Sequence, residues 1–258
     1  MDQEAHRLAA LIDAENAQLA ILPELLAEVA KIGSATVKRV YGDFTTPALA
    51  SWRDPLLAHS IQPVQQFRNT VHKNARDSAL IIDAMDLLYS GRLEGYCIVS
   101  GDSDFTRLAS RIREEGLRVY GFGERETPTI VQVIAACEKF VYTEVLRNPG
   151  EGPQLVGHTS TEIGARIRQQ LVDAAESCAD EDGWAQLGAL GNVIANHVPD
   201  FDPRHYGFKK LSMLVEASGL FDMKRQGDES SSSFLVKLKS AATAPTDNAA
   251  FQSTGMSK

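Results

Sequence analysis

Two short apolar runs in this chain end in acid. Leu8-Ala9-Ala10-Leu11-Ile12 runs into Asp13, and Tyr96-Cys97-Ile98-Val99 runs through Ser100-Gly101 into Asp102 and Asp104. Continuous apolar runs of this kind read as strands buried on both faces, as in parallel sheets. A strand that ends in a carboxylate puts the charge at the sheet's carboxyl edge, where open α/β folds bind ligands. A further acid, Asp77, opens a helix-like stretch, Asp77-Ser78-Ala79-Leu80-Ile81-Ile82, where the helix dipole tolerates negative charge. Carboxylates gathered without matching cations repel one another, and the usual remedy is a divalent metal held through oxygen ligands.

The rest of the first half supports a sheet of this type. Strand-like stretches fall at residues 8–12, 35–41, 61–67, 96–99, 117–122 and 140–145. Helix-like stretches fall between them at 19–32, 48–59, 78–89, 105–115 and 130–137. The first of these carries Leu22, Leu25, Leu26 and Val29 at helical spacing and stops at Gly33. This βαβα alternation predicts an α/β domain with a mainly parallel sheet and helices on both faces. Asn148-Pro149-Gly150-Glu151-Gly152-Pro153 has linker composition. Beyond it come helix-like stretches at 162–178, 184–197 and 206–218, then a strand-like pair at 220–224 and 234–238. Three helices and a two-stranded ribbon make a small winged-helix α+β pattern. The tail after Ser240 is rich in Ala, Thr, Ser and Asn, a composition expected to stay disordered. The expected division is 1–147, a linker at 148–158, a second domain at 159–240 and a tail at 241–258.

The net charge of −8 argues against a protein that coats nucleic acid through bulk positive charge. It leaves room for a nuclease, whose metal-binding carboxylates are themselves negative. No apolar run approaches the roughly 20 residues needed to cross a bilayer, so no membrane partner is expected. The opening Met1-Asp2-Gln3-Glu4 lacks the basic-then-apolar order of a signal peptide. Cys97, Cys137 and Cys178 are far apart and form no C-x-x-C pair, so neither a disulfide frame nor a zinc site is expected. A reducing, cytoplasmic location fits best.

Around the acids, Asn16 offers an amide oxygen to a metal-bound water. Ser100 and Ser103 can hydrogen-bond a phosphate or the carboxylates, and Gly101 lets the backbone approach closely. Each acid alone also has a plainer role, since an Asp before a helix is commonly just its cap. Asp83 lies in an apolar stretch and reads as a partnered acid, Asp86 as surface, and Glu15 as a solvated loop residue. Asp102-Ser103-Asp104-Phe105-Thr106 also matches the D-x-D-x-T pattern of haloacid-dehalogenase phosphatases. That motif normally opens its domain, however, and here most of the sheet precedes it.

Taken together, Leu11-Ile12-Asp13-Ala14-Glu15-Asn16, Asp77-Ser78-Ala79-Leu80-Ile81-Ile82-Asp83-Ala84 and Ile98-Val99-Ser100-Gly101-Asp102-Ser103-Asp104-Phe105 resemble the NYN domain of the PIN-like nuclease superfamily, in its bacterial LabA-like form. Val119-Tyr120-Gly121-Phe122-Gly123 is similar to the segment that follows the last acidic motif there. The resemblance implies a PIN-like Rossmannoid fold and a metal-dependent ribonuclease using Mg²⁺ or Mn²⁺. It carries over Asp13, Asn16, Asp77, Asp102 and Asp104 as the catalytic set, with the four aspartates holding metal. Many relatives place Lys-Gly shortly before the middle Asp, whereas here Lys73 is followed by Asn74-Ala75-Arg76. Arg76 and Arg107, with Ser100 and Ser103, are candidates for phosphate contact.

Residues 159–240 resemble the LOTUS domain, also called OST-HTH, a winged-helix RNA-binding module. The resemblance rests on Tyr206-Gly207-Phe208-Lys209-Lys210-Leu211-Ser212-Met213-Leu214 and on Phe221 before the ribbon. Tyr206 and Gly207 are expected to start the third helix, with Lys209 and Lys210 facing outward. Lys224 and Arg225 fall at the wing, with Lys237 and Lys239 on its return strand. Tyr206, Lys209, Lys210, Lys224 and Arg225 are the RNA-contact candidates, and Trp184 reads as a core anchor. From position 151 onward ten basic residues face fourteen acidic ones, so this part cannot bind RNA through net charge. RNA, single-stranded or structured, is the expected partner, with a homodimer or a protein partner at the winged helix as further possibilities. The alternative function is a non-catalytic RNA-binding or protein-recruiting adaptor.

Overall fold

The computed structural model describes residues 5–67, 75–125, 130–147, 164–226 and 233–239, and for 75–77 the backbone alone. The chain divides into two compact units, Met1–Thr161 with Ile194–Leu211, and Glu162–Val193 with Ser212–Lys258. The expected linker and tail lie outside the described residues.

In the first unit the leading apolar run forms β1 (Arg7–Asp13). It is followed by α1 (Leu22–Ile32), β2 (Ser34–Gly42), α2 (Arg53–Ala58), β3 (Gln62–Gln65), α3 (Ala75–Tyr89) and β4 (Gly95–Val99). Then come α4 (Thr106–Glu114), β5 (Arg118–Gly123), α5 (Ile130–Ala136), β6 (Lys139–Tyr142) and α6 (Glu144–Arg147). The strands form one sheet in the order β3-β2-β1-β4-β5-β6, and every pairing is parallel. The fold is the α/β class that the alternation predicts.

Strand alternation divides the core between the two faces of the sheet. Ala9, Leu11, Tyr96 and Ile98 pack with Leu80, Ala84 and Leu88 of α3, Leu108 and Ile112 of α4, and Val133 of α5. Leu8, Ala10, Ile12, Cys97 and Val99 pack on the other side with Leu22, Leu25 and Val29 of α1 and with Trp52, Leu56 and Val145. Both faces of β1 and β4 are covered, which is why those runs are apolar at every position. Cys97 and Cys137 are buried free thiols, and burial pushes both up to about 12.

Residues 194–211 complete this unit. Phe140 N donates to Pro199 O at 2.7 Å, and Tyr142 Oη donates to Asp200 Oδ2 at 2.9 Å. The Arg204 guanidinium gives two bonds to Glu28, at 3.1 and 2.9 Å, and three to Asp202, at 3.0, 3.1 and 2.6 Å. Burial alone would raise both carboxyls. The bonds from Arg204, joined at Glu28 by Lys31, outweigh it and hold both below their ordinary values. His205 is buried beside the Tyr142 ring, with centroids 4.8 Å apart, and burial pushes its imidazole down to about 4.

The second unit contains α7 (Ala165–Cys178), β7 (Trp184–Gln186), most of α8 (Leu187–His197), most of α9 (Leu211–Ser218), β8 (Phe221–Gln226) and β9 (Ser233–Leu238). The three strands are ordered β7-β9-β8 and pair antiparallel. Two expectations fail here. The stretch from Trp184 is not helical throughout: Trp184–Gln186 is a strand because it pairs with β9, so the ribbon is three-stranded. Tyr206 and Gly207 do not start the third helix. Pro203–Tyr206 form a separate 3₁₀ turn, which ends at Gly207 with φ +83°, and α9 begins only at Leu211. A left-handed residue of that kind ends helical winding, and Lys209 and Lys210 therefore precede α9. In the first unit, Asp77 is the third residue of α3 rather than its opening one.

Buried and neutral, His205 makes stability depend on pH. Its folded value of about 4 lies below the ordinary 6.5. Between those values only the unfolded chain takes up the proton, so stability falls as pH is lowered through the window. Glu28 and Asp202 add their losses only lower, as they protonate below 4.5 and 3.8. Urea titrations from pH 7 to pH 4.5 should show the native chain losing roughly 2–3 kcal/mol more than His205→Phe.

Candidate active site

Strand order reverses between β1 and β4. From β1 the chain builds outward through β2 and β3, then returns to β4 and builds the other way. A crevice opens at the carboxyl edge of such a switch point. The register pairs Ile12 with Val99, so the next residues, Asp13 and Ser100, leave the sheet side by side.

Asp13 is buried, and its carboxylate accepts from three nearby groups. Asn16 Nδ2 donates to Oδ2 at 2.6 Å, Glu15 N to Oδ1 at 3.1 Å, and Ser100 Oγ to Oδ2 at 3.4 Å. The turn that brings Asn16 round is closed by Asn16 N and Ala17 N on Asp13 O, at 3.2 and 2.9 Å. Ser100, also buried, accepts from Asp102 N at 3.2 Å. One hydroxyl thus ties the acid of β1 to the acidic loop after β4. Asp102 caps the 3₁₀ turn Ser103–Phe105, its Oδ1 accepting from Asp104 N at 3.0 Å. Asp104 and Arg107 are exposed, and Asp102 and Ser103 are partly buried.

Asp13, Asn16, Ser100 and Asp102 thus form one hydrogen-bonded cluster at this edge, with Ser103 and Asp104 in the turn that Asp102 caps. The side chains of Asp77 and Arg76 lie outside the described residues, as does Lys73. Among the described residues no three His, Cys, Asp or Glu side chains are gathered as a metal cage. The donor set on the page is nonetheless all oxygen, from carboxylate, amide and hydroxyl groups, which suits hard cations such as Mg²⁺ and Mn²⁺. Asp83 is bonded by Arg39 Nη1 and by Tyr41 Oη, whose residue pairs with Asp13 in the sheet. Burial and that carboxylate push the Tyr41 phenol well up. Asp86 is exposed.

A cavity of about 270 Å³ opens beside the cluster, lined by Glu15, Asn16, Ala17, Gln18, Gly101 and Glu124. Sequence reasoning missed Gln18 and Glu124. Glu124 follows β5 directly and accepts from Gln18 Nε2 and, at 3.4 Å, from Arg147 Nη2. It ends a strand as Asp13 does, so the same rule could have found it, whereas nothing in the sequence marks Gln18. Asp43, just after β2, was also missed. It is buried, and its Oδ1 accepts from Thr45 N, Thr45 Oγ1 and Gln65 Nε2 at 3.2, 2.5 and 2.7 Å. That arrangement clamps the β2 and β3 ends together. Gly123 keeps the β5 end close to the acidic loop, since a Cβ there would stand 3.2 Å from Gly101 Cα and 3.3 Å from its N.

In the other candidate set, Lys224 and Arg225 lie on β8 of the second unit and are exposed. Tyr206, Lys209 and Lys210 belong to the 194–211 segment of the first.

An acidic crevice at the switch point of a parallel sheet is where an open α/β domain takes its ligand. The chain belongs to the NYN domain family, whose model matches residues 7–144. An OST-HTH/LOTUS domain matches residues 162–233. Both agree with the resemblances read from the residues. NYN domains are a PIN-like nuclease family, and LOTUS domains bind RNA. Among solved structures, the chain is similar to a protein of unknown function from Vibrio parahaemolyticus at 19% identity and TM-score 0.46, over 55% of this chain and 95% of that one. It is also similar to an uncharacterised protein from Nitrosomonas europaea at 32% identity and TM-score 0.27, over 36% of this chain and 90% of that one. No curated protein matches it. No helix among the described residues is long and apolar enough to cross a membrane.

The Ser100 hydroxyl is the joint of the cluster. Ser100→Ala removes one of the bonds to Asp13 and leaves Asp102 N without its acceptor. Urea titration should show a loss of about 1–2 kcal/mol.

Proposed function

We propose that this chain is a metal-dependent endoribonuclease of the cytoplasm. The observation that supports the reading most is the Ser100 bridge, which links Asp13 to the Asp102 loop at the switch point. Asp13, Asp77 and Asp102 would hold Mg²⁺ or Mn²⁺, with Asp104 completing the shell directly or through water. Such a cation, when bound, would supply positive charge against the phosphodiester and make water a better nucleophile at neutral pH.

The protein's own groups do the rest. Asn16 and the Glu15 N–H orient the Asp13 carboxylate at the end of β1. Ser100 sets the distance between the acids of β1 and β4. The Ser103 hydroxyl, and Arg107 at the start of α4, take non-bridging phosphate oxygens of the RNA, with Arg76 as a further contact. The cavity along Glu15–Gln18 and Glu124 gives the backbone a path past the acids. It is too polar to hold an apolar ligand. The strand enters from the loops, so no free end is required, and cleavage is internal. The C-terminal module chooses or holds the RNA.

A circular RNA substrate tests both parts of the reading. The native chain with Mn²⁺ should linearise it, and chelation should stop the reaction. Asp13→Asn or Asp102→Asn should lower the rate by roughly 100-fold or more without changing the melting temperature greatly. Equal rates in native chain and Asp102→Asn remove Asp102 from the mechanism. No cleavage and no Mn²⁺ binding at all would leave the adaptor reading standing.

A further inference from the structure

The pairing that makes Trp184 part of a strand also puts it on a surface. In the second unit, Ala185 pairs with Val236, and Val236 with Met223. Ala185 and Val236 are buried, so this set is the inner face of the sheet. The alternate residues Trp184, Lys237, Lys224 and Leu235 share the outer face. Trp184 is only partly buried there. The Lys224 ammonium stands 3.8 Å over the indole centroid, and the Lys237 ammonium 5.9 Å from it.

Neither lysine is ion-paired with the described residues, and Lys237 is anchored beside the ring. Lys237 Nζ donates to the Asp182 carbonyl at 2.7 Å. Its stem passes over Gly183, whose φ of +79° forms the turn into β7, and a Cβ there would stand 3.4 Å from Lys237 Cε. Lys224 is exposed and forms no ion pair with the described residues. The backbone that carries the ring is fixed by the strand pairing and by Trp184 N donating to Asp180 Oδ1 at 2.8 Å.

Two ammonium groups repel a cationic ligand, and a rigid aromatic face favours a planar one. A planar group with anions on either side is a nucleotide. We propose that the outer face of this sheet binds one unpaired base of a single-stranded RNA. The base would stack on Trp184, displacing the Lys224 ammonium onto a flanking phosphate, while Lys237 takes the other. The exchange runs downhill: an exposed cation–π contact is worth roughly a factor of two to five in affinity, and a base stacked on an aromatic ring roughly five- to a hundredfold. Asp222, opposite Lys237, and the exposed Glu181 and Asp182 border the face on one side. Beyond the two lysines they oppose the second backbone of a duplex. This site rests on the RNA reading above but not on catalysis.

Tryptophan emission reports on it directly, because the only other tryptophan, Trp52, is buried in the first unit. The full chain carrying Trp52→Phe, in EDTA, is titrated with an unstructured oligoribonucleotide and with a duplex of the same length. Saturable quenching by the single strand, and much weaker quenching by the duplex, is expected. In anisotropy titrations Trp184→Ala should weaken single-strand binding roughly tenfold, and Trp184→Phe no more than about threefold. Lys224→Gln, a surface change that leaves the fold intact, should reduce the salt slope of binding by about 0.7. Unchanged affinity in Trp184→Ala, an unchanged salt slope in Lys224→Gln, or equal quenching by the duplex overturns the proposal. Quenching without Mn²⁺-dependent cleavage overturns the nuclease reading and leaves this site intact. Cleavage without quenching does the reverse.

Discussion

The parallel pairing of β1 with β4 is the constraint on which the first unit turns. Its register sets Ile12 beside Val99 and so fixes where the chain leaves the sheet. Both strands are covered on both faces, so a one-residue slip would drive Asp13 or Ser100 into apolar surroundings. A buried carboxylate without donors is costly. Asp13 is tolerated at its depth because the turn after it returns Asn16 and the Glu15 N–H to the same two oxygens. The geometry of the site is thus a consequence of how the strand ends, not an addition to it.

The acids of this unit fall into two groups by what holds them. Glu28 and Asp202 meet Arg204, and Asp83 meets Arg39. In these pairs the charges cancel, and the gain is in packing the elements that carry them. At the switch point the described donors are an amide, a hydroxyl and backbone N–H groups. The groups described at that edge are oxygen-rich, a set that suits a hard cation. Glu124, bridged by Gln18 and Arg147, stands between the two groups at the rim of the cavity.

What the sequence made legible follows from locality. The runs ending at Ile12 and Val99 announce β1 and β4 because a doubly covered strand must be apolar throughout. The acids beyond them announce the edge. Glu124 and Asp43 obey the same rule and could have been read from Gly123-Glu124 and Gly42-Asp43. Trp184 could not. Leu187, Leu190 and Ile194 continue at helical spacing, and nothing nearby separates Trp184-Ala185-Gln186 from them. The strand exists only because β9, some fifty residues on, lies alongside it. The third helix was mistaken for a different reason. Phe208, Leu211 and Leu214 keep core spacing across a break, because Gly207 turns left-handed without changing the apolar pattern on either side.

The electrostatics of the first unit bear on how such a chain meets a polyanion. A carboxylate edge that attracts a cation also repels RNA at a distance, and the net charge of −8 deepens the repulsion. Grip must come from somewhere the charge is reversed and from contacts that do not depend on charge. Stacking on a fixed ring is such a contact, because every base has a π face and the ring carries no charge to be screened. The β7-β9-β8 sheet offers that ring with two ammonium groups beside it. Acid in one unit and an aromatic, cationic face in the other would let the proposed cleavage and RNA holding be tuned separately. A site that did both would need lysines among its carboxylates, and each would oppose the cation those carboxylates suit.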